Sequence, residues 1–313
     1  MTEIEGASIG GLPAHLIVDL VDRALAEDLG GAGDVTTSAT IPAERLGAAD
    51  LVSRAPGVLA GLPFAAYVFQ VVGQGRLRVE FGPADGAAVR AGDVLATIRG
   101  PVRDLLTAER TALNLLGHLS GIASATRRWV DAVADTGAVI RDTRKTTPGL
   151  RALEKYAVRC GGGQNHRMSL SDAALVKDNH VAAAGGIVAA FALVRAQYPA
   201  LAIEVEADTL EQARAVIDAG ADLVLLDNMS TGDMRTAVEY GHARGARLEA
   251  SGGLRLERAR EVALTGVDYI SVGALTHSSA VLDIGLDIHP NISTDIHRDT
   301  DTEVHGSRAG GSS

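Results

Sequence analysis

The chain has 313 residues, 46% of them apolar and 22% charged, with a formal charge of −10 and a mean hydropathy of +0.13. These are the values of an ordinary globular protein large enough for one sizeable domain or a barrel with a smaller companion. The acidic balance argues against general binding to nucleic acid or anionic membrane, and 3% aromatic residues argue against base-stacking platforms.

The first residues, "MTEIEGASIGGLPAHLIVDLV", carry no basic run ahead of an apolar one, so they do not read as a signal peptide. "LPAHLIVDLVDRALAED" (12–28) places apolar residues at helical spacing, and "LGGAGDVTTSATIP" after it reads as a Gly/Thr-rich loop. Between residues 47 and 104, "ADLVSRAPGVLAG", "LRVEFG" and "GDVLATIRG" read as short strands around the helix "LPFAAYVFQVV". A small α+β unit with mostly antiparallel pairing is expected there. A long helical pattern covers 105–133. No stretch of ~18 apolar residues is free of charge, so no membrane span is expected and the cytoplasm is the default location.

The rest of the chain alternates apolar runs with helical segments. The runs are "AVIRDTR" (138–144), "ALVKDNH" (174–180), "AIEVEA" (202–207), "LVLLDN" (223–228), "RLEASGG" (247–253) and "YISVGAL" (269–275). Such βα alternation gives parallel strands with right-handed crossovers, most simply a barrel, with an open doubly wound sheet as the alternative. Residues 289–313 are almost devoid of apolar side chains and read as a disordered tail.

Positive charge is concentrated in "RDTRKTTPGLRALEKYAVRCGGGQNHR" (141–167), where seven Lys or Arg face two acids, a local charge of +5. Thr147 reads as an N-cap with Pro148 at the first helical position, and Arg151, Lys155 and Arg159 read as a solvated helix face. "GGGQNHR" reads as a mobile turn that delivers His166 and Arg167 as a lid or a floor. Cys160, the only cysteine, excludes an intrachain disulfide and a four-cysteine zinc site and is expected to pack as a small apolar residue.

Polar residues gather at the strand ends. They are Arg141, Arg144 and Lys145; then Lys177, Asn179 and His180; then Glu204 and Glu206; then Asp227 and Asn228; then Ser251, Gly252 and Gly253; and finally Ser271 and Gly273. In a parallel barrel that rim carries the active site. An isolated Lys at a strand end is ordinarily a solvated charge, and an isolated Glu in a barrel is ordinarily half of an ion pair. So many charged groups facing one rim imply a ligand that balances them. Arg and Lys favour phosphate and carboxylate; Glu and Asp beside a polyphosphate suggest Mg²⁺; Gly after the late strands lets backbone N–H groups approach a phosphate. Arg110, early in the long helix, reads as a surface ion pair with Glu109.

The segments "EDLGGAGDVTT", "AERTALNLLGHLSGIASAT", "RDTRKTTPGLRALEKYAVRCGGGQNHR", "LVKDNH", "EVEADT", "LLDNMS" and "ASGGL" together resemble the quinolinate phosphoribosyltransferase family over roughly residues 12–288. The resemblance implies an α/β fold, with an N-terminal α/β sandwich domain (29–115, after a helical region over 1–28) and a C-terminal incomplete (β/α) barrel (116–288). It implies homodimers, or assemblies of dimers, in which Arg110 completes the neighbouring site. It implies quinolinate and phosphoribosyl pyrophosphate as substrates and Mg²⁺ as cofactor. By resemblance Arg144, His166, Arg167, Lys177 and the partner's Arg110 surround the quinolinate carboxylates. Lys145, Asn228, Ser251, Gly252, Gly253, Ser271 and Gly273 hold the phosphoribosyl pyrophosphate. Lys145, Glu206, Asp227 and Lys177 carry the catalysis, and Glu206 and Asp227 attend the metal, directly or through water. Two other readings compete: an aldolase-like Schiff base on Lys177, and a non-catalytic phosphate-ligand module like the relatives associated with molybdenum transport.

Overall fold

A computed structural model describes residues 8–289. The expected tail lies outside the described residues from position 290 on, and His289 ends the last strand.

The N-terminal part is built on helix α1 (Ala14–Leu29), the short α2 (Val35–Thr40), strand β1 (Leu46–Ser53), helix α3 (Leu62–Gly73) and strands β2 (Arg78–Phe81) and β3 (Val94–Pro101). In α1 the buried residues Ala14, Ile17, Val21 and Leu25 recur every three or four positions, the spacing of one helix face. Helix α2 occupies the stretch expected to be a loop. Asp34 caps it by accepting from the Thr37 amide at 2.9 Å, a signal hidden among glycines. Helix α4 (Val102–Ala132) is 31 residues long and runs from this part into the next. It is tied to the N-terminal unit by Ser120, whose hydroxyl accepts from the Ala60 N–H and donates to the Ala60 carbonyl.

The second part contains β4 (Val139–Arg141), α5 (Arg151–Cys160), β5 (Ala174–Val176), α6 (Asp178–Ala184), α7 (Ile187–Gln197), β6 (Ile203–Ala207), α8 (Leu210–Asp218), β7 (Leu223–Asp227), α9 (Thr231–His242), β8 (Arg247–Ser251), α10 (Ala259–Ala263), β9 (Tyr269–Ser271) and α11 (Ala274–His277). Strand β10 (Ile284–His289) follows and returns to the first sheet. That sheet is antiparallel in the order β10-β1-β3-β2, and the second is parallel in the order β4-β9-β8-β7-β6-β5. The six parallel strands form a barrel left open between β4 and β5, the incomplete (β/α) barrel beside an α/β sandwich expected from the family resemblance. Among the described residues no single helix is long and apolar enough to cross a membrane.

Four local expectations are corrected. Helix α5 starts at Arg151, not at Thr147–Pro148: Gly149 takes φ +82 and Leu150 is the cap, so the Thr-Pro pair makes a turn before the helix. The run 174–180 is strand only to Val176; the Lys177 amide donates to His180 Nδ1 at 2.9 Å and caps α6, so Asn179 and His180 belong to that helix and not to a strand end. Lys155 is not solvated but fully buried. The segment 161–167 is not a loose turn: Gln164 bridges Arg141 as an added parallel strand residue, and its neighbours are anchored by side-chain hydrogen bonds.

Candidate active site

Thirteen of the fourteen residues given a site role by the family resemblance line one cavity of about 670 Å³ at the C-terminal ends of the barrel strands, whereas the strand-end residues Arg141, Asn179, His180 and Glu204 are not among its lining. Arg144 and Lys145 follow β4, and His166 and Arg167 come from the segment bridged to it. Lys177 follows β5, Glu206 sits on β6, Asp227 and Asn228 end β7, Ser251 to Gly253 end β8, and Ser271 and Gly273 end β9. The fourteenth, Arg110, lies on α4 outside this cavity, its side chain 64% exposed and 3.7 Å from Glu109.

The charges are not balanced within the cavity. Lys177 Nζ donates to Glu206 Oε2 at 2.7 Å. Among the described residues, Arg144, Lys145 and Arg167 have no carboxylate within ion-pair distance. Arg144 Nε is a buried donor without a hydrogen-bond partner. Burial and the neighbouring Arg144 cation both push the Arg167 pKa down, which is the mark of two positive groups held together. Gly273 makes room for Lys145: a Cβ there would lie 2.9 Å from Lys145 Cδ and 3.3 Å from His277 Nε2. Such an array is an anion site that the protein leaves uncompensated.

The opposite wall is acidic. Glu206, Asp208 and Asp227 offer carboxylate oxygens within 4.8 Å of one another, hard donors of the kind Mg²⁺ takes. Asp208, just past the end of β6 and not among the cavity's lining residues, was not singled out from the sequence; its place two positions after Glu206 in "EVEAD" is the signal that could have found it. His277 and Thr143 also line the cavity without having been singled out. The late strands supply a tight backbone corner. Gly252 takes φ +91, and a Cβ there would fall on the Asn228 side-chain amide and 2.7 Å from its backbone nitrogen. Asn228, itself at φ +53, donates its amide to the Ser251 carbonyl at 3.0 Å and its Nδ2 to Asp227 Oδ2 at 2.7 Å.

Beneath this cavity the barrel interior is polar. His166 Nε2 lies 2.6 Å from Glu204 Oε2 and 3.7 Å from Glu249 Oε1, and its Nδ1 accepts from the Arg167 amide at 2.8 Å. Arg141 donates to Glu249 Oε2 at 2.8 Å and stacks on Tyr269, its guanidinium 3.4 Å from the ring centroid. Burial, then the Glu204 charge, push the Glu249 carboxyl up to about 7. Burial works against the His166 cation, but the Glu204 and Glu249 carboxylates outweigh it and raise its pKa. Cys160 behaves as an apolar residue, its thiol pushed up to about 11 by burial.

Comparison with known proteins bears on this site. The family description "Quinolinate phosphoribosyl transferase, N-terminal domain" matches residues 34–120, and the corresponding C-terminal domain matches 122–287. A nicotinate-nucleotide pyrophosphorylase [carboxylating] of Mycobacterium leprae is 53% identical over 273 residues, covering 86% of this chain and 96% of that relative. The solved structure of NadC from Streptococcus pyogenes superposes with a TM-score of 0.84 at 40% identity, covering 89% of this chain and 99% of that one. That of the nicotinate-nucleotide pyrophosphorylase from Francisella tularensis gives a TM-score of 0.85 at 36% identity, covering 90% and 99%.

Proposed function

The chain belongs to the quinolinate phosphoribosyltransferase family, and on that premise we propose how its own residues carry the reaction. The reaction joins quinolinate to phosphoribosyl pyrophosphate and releases nicotinate mononucleotide, pyrophosphate and CO₂, a step of NAD biosynthesis. The observation that carries the assignment of roles is the set of three cations, Arg144, Lys145 and Arg167, that share one cavity without acidic partners.

Quinolinate is a dianion at neutral pH. Arg144, His166, Arg167 and Lys177 receive its carboxylates, with Arg110 of a second subunit completing the site in a homodimer. The exposure of Arg110 and its distance from its own chain's cavity support that arrangement. Lys145 faces the pyrophosphate. Ser251, Gly252, Gly253, Ser271 and Gly273 take the 5′-phosphate, whose approach needs the bare backbone of Gly252 and Gly253. Asn228 braces this corner.

The pyridine nitrogen attacks the anomeric carbon as its bond to pyrophosphate breaks, and positive charge develops on the ribose. Glu206 and Asp227 stabilise that charge, and Lys145 stabilises the departing anion. The cationic ring nitrogen then accepts the electron pair released when the adjacent carboxylate leaves as CO₂, and a proton takes its place. Mg²⁺ held by Glu206, Asp227 and Asp208 would neutralise pyrophosphate oxygens. No covalent adduct on Lys177 is needed, and its amine is engaged by the Glu206 carboxylate at 2.7 Å rather than free to attack a carbonyl. The cytoplasm is the proposed compartment.

Incubation with quinolinate, phosphoribosyl pyrophosphate and Mg²⁺ should yield nicotinate mononucleotide and CO₂ in equal amounts. Nicotinate should be a poor substitute, because the missing carboxylate leaves a buried cation unmatched. Binding of phosphoribosyl pyrophosphate without product would favour the non-catalytic alternative.

A further inference from the structure

Just behind the pocket wall lies a charge pair that the chemistry above does not use. Asp142 follows β4 and Lys155 sits midway along α5; both side chains are fully buried and pair with each other. Taking two ions out of water is expensive, and well-packed apolar side chains of similar volume commonly stabilise a fold as well or better. Stability alone therefore does not account for the pair, but its remaining hydrogen bonds do. Asp142 Oδ1 accepts from the His166 N–H at 2.8 Å, and Lys155 Nζ donates to the His166 carbonyl at 2.8 Å. Asn165 braces both partners, donating from Nδ2 to Asp142 Oδ2 at 2.6 Å and to the Lys155 carbonyl at 2.8 Å.

Both main-chain groups of His166 are thus taken by one buried ion pair. Backbone-to-backbone hydrogen bonds hold the segment only as far as Gln164, whose N–H donates to the Ile140 carbonyl at 2.8 Å and whose carbonyl accepts from the Asp142 N–H at 3.2 Å. It begins with three glycines, Gly161 to Gly163, and carries a single bridge between Gln164 and Arg141. It lies at the open side of the barrel, bridged to β4 at Gln164 and reaching the start of β5 through the 2.9 Å bond from Arg167 Nη1 to the Ala173 carbonyl. His166 and Arg167, which follow directly, line the cavity.

We propose that Asp142 and Lys155 are positioning residues for quinolinate recognition, which fix the main chain of His166 and through it the aim of Arg167. The inference rests on the placement of His166 and Arg167 at the quinolinate end of the cavity. It favours one substrate: the 5′-phosphate corner proposed for phosphoribosyl pyrophosphate lies on β7 to β9, which the pair does not touch, and of the residues given to that substrate only Lys145 follows β4.

The test is steady-state kinetics on the assembled enzyme with D142N/K155M, which removes both charges at similar volume and leaves no ion buried alone. Quinolinate KM should rise roughly 10-fold or more, while kcat and the KM for phosphoribosyl pyrophosphate stay within about twofold. Thermal melting should stay at or above the wild-type value. A folded double variant with unchanged quinolinate KM overturns the proposal, and so does an equal loss for both substrates, which would mark general loosening. N165A, which keeps the ion pair and removes the brace together with the 2.6 Å bond from exposed Arg159 Nη1 to Asn165 Oδ1, should show a smaller rise of the same selectivity, and it decides the matter if the double variant does not assemble. Wild-type protein that forms no nicotinate mononucleotide would sink the proposed function instead, and quinolinate calorimetry on the same variants would still judge the positioning role.

Discussion

Lys145 and Glu249 show how differently two charged residues of one barrel behave. Lys145 projects into the cavity over Gly273 and has no acid to neutralise it, so its charge is available to a leaving anion. Lys145→Ala should therefore lower kcat by roughly 100-fold or more while changing quinolinate KM by no more than about threefold, as read from initial rates. An unchanged kcat would remove Lys145 from the chemistry. Glu249 is fully buried, and its folded pKa stands near 7 against an ordinary 4.5. Between those two values the folded state holds a proton that the unfolded state has released, so the Glu249 contribution to stability is fully present below pH 4.5 and is lost as the pH rises toward and through 7. His166, also raised, acts in the same sense. Glu249→Gln should flatten the decline of melting temperature between pH 5 and 8, by an amount worth at most about 3 kcal/mol. Places at the ends of apolar runs made Glu206 and Lys177 legible in the sequence. The burial of Lys155 was not legible, because its partner Asp142 is thirteen positions back and only the fold brings them together.

At the scale of elements, periodicity carried the barrel. Each of the six runs expected in the barrel contains a strand, because a buried parallel strand needs an unbroken apolar stretch and each crossover helix needs an apolar face. What failed was local chemistry overruled by context. Thr147 and Pro148 have the types of a helix start, yet the Thr147 amide donates to Glu154 Oε2 at 3.1 Å from a turn outside the helix. Strand β10 went unseen because its partner β1 lies more than two hundred residues earlier, and pairing at that distance leaves no local mark. The corner between β7 and β8 is the element whose failure is easiest to forecast. Gly252→Ala meets both a left-handed backbone, at φ +91, and the Asn228 side chain. Asn228 must shift and release Asp227, so the KM for phosphoribosyl pyrophosphate should rise more than that for quinolinate. The melting transition should fall by an equivalent of about 1–3 kcal/mol. Equal KM values in variant and wild type would mean the corner does not contact the phosphate.

For the whole molecule, the distribution of charge matters more than its total. A chain at −10 repels polyanions at long range, and the cluster around Arg144, Lys145 and Arg167 reverses that field only inside the barrel mouth. Arg110 stands exposed on α4, 3.7 Å from Glu109 and outside the lining of that mouth. Nothing in that residue's own surroundings marks it as functional; only the family resemblance singled it out, because its proposed ligand lies in another subunit. The arrangement has an arithmetic consequence. If Arg110 serves the neighbour's barrel, R110A and K145A proteins are each nearly inactive, but a mixed dimer has one site with both defects and one with neither. Unfolding and refolding an equal mixture should restore roughly a quarter of wild-type activity, since about half the dimers are mixed and each carries one intact site of two. If Arg110 acts within its own chain, every site in the mixture keeps one defect. The activity of the mixture would then not exceed the mean of the two parents.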